Sequence, residues 1–562
     1  MDLVLEPSPG SWSSARSHLP HAREPGDLGG GPTSMVDGGL LREGKKPQSA
    51  GSSEESDAGI VPKKSAKTRV TPVESMEGRA AAEGKSAHGN ARRAQDRGRA
   101  PTQVERIGQR AKEKKGERFN NLLSAIKVPL MKEAYQRLRR EAAPGVDGVT
   151  WEEYGEHLDA RLLDLQDRIH RGSYHPQPVR RVYIPKGDGG TRPLGIPALE
   201  DKIVQEAVRR VLEPIYEREF LGFSYGFRPG RSQHDALNAL AEAIHGKVSW
   251  VLDADIRSFF DTIDFGWMQK FIEHRIADGR LVQLLMKMLH AGVMEDGELR
   301  EVEKGTPQGG NVSPHLANIY LHYALDLWVQ QWRKRHARGE VYIVRYADDF
   351  VMGFQYEQDA RAMWEALSAR LAEFGLELHP DKTRVLRFGR FAHGRCDREG
   401  RRRPETFDFL GFTHIAGVDR RGAFQLRRRT SRKKRQAKLA QLSEEMRRRR
   451  HAPVHQQHAW LSSVLRGHYR YYGVPTNCPA LKSFYERVRW GWHRQLQRRS
   501  QRARWNEEKR EAHEKRFPLP LPKIHHPWPS LRPVIPSTRG GSPVREIRSP
   551  GSVRGAARTD RR

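Results

Sequence analysis

Cysteine is nearly missing: the 562 residues contain only Cys396 and Cys478. Two cysteines cannot build a disulfide framework or the paired thiolates of a structural zinc site, so a small secreted scaffold is excluded and a reducing compartment is expected. Long apolar runs are missing as well. Without one of membrane-spanning length, neither a transmembrane helix nor a membrane partner is expected. The start carries Asp2 and Glu6 and no apolar stretch of signal-peptide length, which argues against secretion and against an acid-poor transit segment and leaves the cytoplasm as the expected location. Acid is in short supply: 69 Asp+Glu against 100 Lys+Arg give a net charge of +31. An excess of this size attracts a polyanion, and in a chain with no membrane segment nucleic acid is the better candidate. At 36% hydrophobic and 30% charged, part of the chain must lie outside any core.

Met1 to about Pro101 has almost no aromatics and no sustained periodicity, so it is expected to be disordered. Inside it, Gly39 to Lys46 (GLLREGKK) nearly matches a phosphate-binding loop, but lacks the closing Ser/Thr and a preceding strand and is not read as a nucleotide site. Order is expected from Phe119. Leu122, Leu123, Ile126, Leu130, Ala134, Tyr135 and Leu138 form a helical stripe, and Leu158, Leu162, Leu165 and Ile169 form another. Pro178 to Pro197 alternates around Lys-Gly-Asp-Gly-Gly and predicts a basic hairpin. Apolar strands are predicted at Trp250 to Phe260 and at Val341 to Phe354, with helices between them, so the core is expected to be α+β. Residues 421–450 hold 13 Lys/Arg and two acids, after which helical stripes resume. Beyond Phe517 the proline-rich run predicts extended or disordered chain.

The informative acids sit in the strands. Asp253 and Asp255, two apart, share a strand face, and Asp348-Asp349 occupy a turn between apolar arms. An isolated Asp pair in a turn is usually a solvated hairpin tip. Acids clustered at strand ends are costly unless a cation neutralises them, and carboxylate oxygens suit Mg²⁺. Two such ions, about 3.5–4 Å apart, would serve phosphoryl transfer by activating a hydroxyl and stabilising a leaving pyrophosphate.

The ordered set APGVDGVT, IPKGDGGTRPLGIPALEDKIVQEAV, FSYGFRPGRSQHDAL, LDADIRSFFDTID, GTPQGGNVSPHLANIYL, VRYADDFVMGF, GLELHPDKT, FDFLGFTH and LRGHYRYYGVP resembles the reverse transcriptase/maturase proteins encoded by mobile group II introns. The resemblance implies a right-hand polymerase: a disordered segment over 1–115, fingers and palm over 116–415, an α-helical thumb/maturase region over 416–515, and a Pro/Arg-rich tail over 516–562. It implies that Asp255, Asp348 and Asp349 hold two Mg²⁺ ions. Phe260 would meet the incoming sugar as a gate against a 2′-hydroxyl, and Lys186, Arg192 and Gln308 would hold the incoming nucleotide. Lys382 would protonate the departing pyrophosphate, with a structural ion pair as the competing reading. Arg466, His468, Tyr469, Arg470, Tyr471 and Tyr472 would contact RNA through phosphates and base stacking; helical spacing there also predicts that some of these rings are core.

The implied partners are intron RNA, a DNA target or primer and dNTPs, with a homodimer also open and a nucleoid association when DNA is bound. Many relatives carry a zinc-containing HNH endonuclease; with no cysteine after Arg498, none is expected here. Two other readings stay open: a non-catalytic maturase acting as an RNA chaperone, and a reverse transcriptase of another retroelement or defence system.

Overall fold

The computed structural model describes residues 102–185, 190–295, 297–306, 309–500 and 506–528. The expected disorder of the first 101 residues, the Gly39–Lys46 segment and the end of the tail lie outside them.

Helix α1 (Gln103–Glu113) corrects the expectation that 1–115 is unstructured. Thr102 and Glu105 form a reciprocal capping box at its start, and Val104, Ile107 and Ala111 turn one stripe to the core. The stripe at 122–138 is not one helix. A 3₁₀ turn (Leu123–Ala125) precedes α2 (Val128–Arg137), with Pro129 in its first turn, where the missing N–H costs nothing. The second stripe is α3 (Leu158–Arg171). The basic hairpin pairs β1 (Val179–Pro185) with β2 (Thr191–Ile196) and joins β4 (Val293–Glu295) and β5 (Glu298–Arg300) in the order β2-β1-β4-β5. Next to it runs α4 (Leu199–Tyr216), the most deeply buried of these elements.

The central sheet has the order β6-β7-β3-β8, from β3 (Trp250–Asp255), the hairpin β6 (Val341–Tyr346) and β7 (Asp349–Phe354), and β8 (Arg384–Arg387). All its pairings are antiparallel. Five of the six residues of both β6 and β7 are buried, so the sheet is covered on both faces and its strands read as apolar runs rather than as alternation. One face packs on the large helical core that contains Leu252, Ala254, Phe350 and Met352. The other, through Val251, Val344 and Val351, packs on α5 (Gln233–His245) and on a second sheet.

That second sheet, β9 (Thr406–Phe409), β10 (Phe412–Val418) and β11 (Phe424–Thr430), straddles the expected division at 415/416, which falls inside β10. The Arg-rich start of the expected helical region is therefore a strand: in β11, Leu426 and Arg428 face inward while Arg429 is exposed. Helices α6 (Arg432–Arg448), α7 (Val454–Tyr472) and α8 (Cys478–Gln497) follow around a third core of Leu461, Leu465, Leu481, Phe484, Val488 and Trp492. The chain from 517 to 528 runs extended over this core and back toward α5: Leu519 is buried, the N–H groups of His525 and His526 donate to the Gly473 carbonyl at 2.8 and 3.0 Å, and the His526 ring stacks on His234. No described helix is long and apolar enough to cross a membrane.

Candidate active site

Antiparallel register decides the site. Asp255, the last residue of β3, lies directly opposite Asp349, the first residue of β7, and Asp348 is in the turn before it. Directly opposed residues of an antiparallel pair have Cα atoms about 4.5–5.5 Å apart. Three carboxylates separated by nearly a hundred positions thus share one sheet end.

The Tyr346–Asp349 turn is held from below. Ala347 has a φ of +60°, unfavourable for a residue with a Cβ. Arg345 braces it: one nitrogen donates to the Ala347 carbonyl at 2.9 Å and to Asn318 Oδ1 at 3.0 Å, and Nε donates to Asp326 at 2.7 Å, with both members of this ion pair fully buried. Asn318 in turn donates to the Gly226 carbonyl at 2.7 Å. A Cβ at Gly226 would lie 2.3 Å from the Ala347 nitrogen, so only glycine permits this approach.

The carboxylates interact strongly. Burial, with the charges of Asp348, Asp253 and Asp255, pushes Asp349 up to about 7, opposed by a hydrogen bond from the Leu410 N–H. Burial also raises Asp348, with Asp255 adding and Arg192 opposing. Asp253 is raised to about 6 by burial against the pull of Arg384, whose guanidinium is 3.5 Å away. Lys382 Nζ donates to Asp255 Oδ2 at 2.6 Å, so the structural ion-pair reading of this lysine describes the observed state. Among the described residues no three His, Cys, Asp or Glu side chains already surround one point. The donor chemistry nevertheless fits a hard divalent cation: the groups are all carboxylate oxygens, and the mutual repulsion that lifts Asp349 is what such an ion would relieve.

The other expected residues divide. Arg192, on β2 opposite Ile184, is exposed, and its charge reaches Asp348. Lys186 and Gln308 lie outside the described residues. Phe260 is 9% exposed and meets Phe259 edge to face, and its carbonyl accepts from the Thr306 N–H at 2.7 Å. Gly309 has a φ of +131° and no room for a Cβ beside the Gly195 carbonyl.

The expected RNA stripe lies partly in the core. Tyr469 is 2% exposed in the third core, and the His468 ring stacks on Phe484 at 3.8 Å, burial lowering it to about 4. Tyr471 and Tyr472 pack on Phe412. Tyr469 is therefore core, the rings of His468, Tyr471 and Tyr472 are half-buried against their neighbours, and Arg466 and Arg470 are exposed. Tyr471 does something else. Its hydroxyl donates to the Leu410 carbonyl at 2.8 Å, and the Leu410 N–H bonds Asp349.

Sequence reasoning also missed Gln205. It is a buried amide on α4 whose Oε1 accepts from the Asn311 N–H at 2.8 Å and holds the glycine loop. The signal was available: a polar residue on the buried side of a helix needs a partner.

Residues 184–414 match the family described as reverse transcriptase (RNA-dependent DNA polymerase). Protein YkfC of Escherichia coli K12 is 38% identical over 276 residues, covering 43% of this chain and 72% of that protein. The group II intron-encoded protein LtrA of Lactococcus lactis is 38% identical over 237 residues, 42% of this chain and 39% of LtrA. Nuclear intron maturase 2 of Arabidopsis thaliana is 26% identical over 155 residues, 27% of this chain and 20% of that protein. The chain thus spans less than half of LtrA and of the maturase.

Proposed function

The chain belongs to the family of reverse transcriptases and maturases encoded by group II introns, and from that membership we propose that it synthesises DNA on the RNA of its own intron, binds that RNA and assists its splicing and mobility. The observation that carries the polymerase reading is the pairing of Asp255 with Asp349 beside Asp348 at one sheet end. Polymerases of this family generally use divalent metal ions. Here Asp255, Asp348 and Asp349 would hold two Mg²⁺, which when bound supply Lewis-acid activation of a primer 3′-hydroxyl and charge stabilisation of leaving pyrophosphate.

The chain's own groups then have separate tasks. Arg192, with Lys186, binds the triphosphate, since a guanidinium can grip phosphate oxygens through two parallel donors. Phe260 packs against the sugar, and Gln308 contacts nucleotide or template. Lys382 leaves Asp255 to protonate pyrophosphate. Fingers and palm run from α1 into the sheet β9–β11. The thumb and maturase region follows to 515, joined to the palm through β9–β11, and 516–562 is the tail. Arg466 and Arg470 neutralise RNA phosphates. The protein acts in the cytoplasm, on intron RNA, a DNA primer and dNTPs.

The test is primer extension on an RNA template with dNTPs and Mg²⁺. The wild type extends and Asp348→Ala does not, by a factor of 10³ or more on the order expected for lost electrostatic stabilisation. Equal extension by both would remove the assigned site. Splicing assistance without extension in the wild type would leave the chaperone reading.

A further inference from the structure

The end of the central sheet remote from the carboxylates carries a second basic feature. Trp250 begins β3, five residues from Asp255, so it lies about 17 Å away along the strand. Beside it is a depression of about 420 Å³ lined by Trp250, Glu357, Arg387, Arg395, Arg398 and Glu399. Its acids are already neutralised. Glu399 is paired with Arg387 and, at 3.3 Å, with Arg401; Glu357 is paired with Arg361 at 2.8 Å. Arg387 lies over the Trp250 ring, 5.0 Å from its centroid, and forms the wall.

That leaves two arginines in excess. The Arg395 guanidinium has no acceptor among the described residues, and Arg398 uses only Nε, toward the Gly394 carbonyl at 3.1 Å. Both are on the short helix Ala392–Arg398, within a stretch, 384–403, that holds eight arginines and no lysine against two acids. Arg401, Arg402 and Arg403 continue the charge outside the depression and are exposed.

Unpaired guanidinium forks match phosphate oxygens, and a row that runs past the cavity suits a repeating polyanion better than a single small anion, which would engage the depression alone. We propose that this arginine-lined depression binds the sugar-phosphate backbone of structured RNA lying outside the polymerase cleft. The proposal rests on the reading of the chain as an RNA-binding polymerase and adds a contact site to it.

The experiment measures the affinity of the full chain for a folded RNA transcript at several salt concentrations, beside primer extension on a short template–primer duplex. Each phosphate contact contributes roughly 0.7–0.9 to the slope of log affinity against log salt, so losing two lowers the slope by about 1.6 and the affinity by about tenfold. Arg395→Gln/Arg398→Gln should show that loss with primer extension unchanged, Arg395→Glu/Arg398→Glu should show a larger one, and Arg395→Lys/Arg398→Lys should keep the wild-type slope. Equal slopes and affinities in the wild type, Glu and Gln proteins would overturn the proposal. So would inorganic phosphate or a mononucleotide binding that depends on these arginines while RNA affinity does not. A wild type that fails to extend primers but shows the slope change would sink the polymerase reading and leave this site standing.

Discussion

Asp349 and Asp255 occupy facing positions, yet their environments differ. Asp349 is raised to about 7 by burial and three neighbouring carboxylates, while Asp255 has Lys382 at 2.6 Å. The acid raised furthest is thus one that no side-chain cation among the described residues pairs with. Phe260 is a core residue to which the proposed function also gives a task. Its ring is 9% exposed and fixed against Phe259, and a rigid ring is what steric selection at a sugar requires. Phe260→Val should raise incorporation of ribonucleotides relative to deoxyribonucleotides by roughly tenfold or more, in line with the size of discrimination that shape alone supplies; competition between rNTP and dNTP in primer extension checks this, and an unchanged ratio would return Phe260 to a packing role.

At the scale of elements, what matters is how turns are held. The buried Arg345–Asp326 pair, shared with Asn318 and the Ala347 carbonyl, fixes the carboxylate turn from inside. Removing one member of a buried pair strands the other's charge, so Asp326→Ala should destabilise by about 3–5 kcal/mol in chemical denaturation and abolish extension. The Tyr471–Leu410–Asp349 chain links α7, which belongs mainly to the third core, to the catalytic end of the central sheet. Tyr471→Phe keeps the ring on Phe412 and loses only the hydroxyl. Expected is a fall in kcat with little change in template affinity or melting temperature; a loss confined to template affinity would instead make Tyr471 an RNA contact.

The whole molecule carries an acid sensitivity from buried histidines. Burial lowers His234 to about 4 and His315, His322 and His414 to about 3. An unfolded histidine titrates near 6.5, so as pH falls below that value the unfolded chain takes up protons that the folded one refuses, and stability is lost progressively down to the folded values. Asp253 and Asp349 act in the opposite sense, since raised carboxyls favour the folded state at low pH and lose that contribution as pH rises toward 6 and 7. The four histidine shifts together exceed the two carboxyl shifts, so the melting temperature should fall between pH 7 and pH 5. His234→Phe, which keeps a ring against His526, should reduce the fall; an identical pH dependence in this variant would show that the 517–528 strap does not depend on a neutral His234.

Much of the candidate site is legible in the chain itself because it is local. YADD between apolar arms, the acid two residues before another on β3 and the basic hairpin each follow from periodicity and residue chemistry over about twenty positions or fewer. Helix α1 is equally local, its capping box and its stripe at Val104, Ile107 and Ala111 lying within one segment, but the composition around it is that of an unfolded tail and masks the signal.

The sequence alone determined which residues could be acid, gate or grip, since side-chain chemistry does not depend on the fold. Only the tertiary structure decided that Asp255 faces Asp349, that β9–β11 runs through the expected division at 415/416, and that of the four rings between 468 and 472 Tyr469 alone is fully buried. Local periodicity marks which face of a strand or helix is apolar, but which distant segment packs on that face, and how completely it covers it, is decided by contacts between segments far apart in the chain.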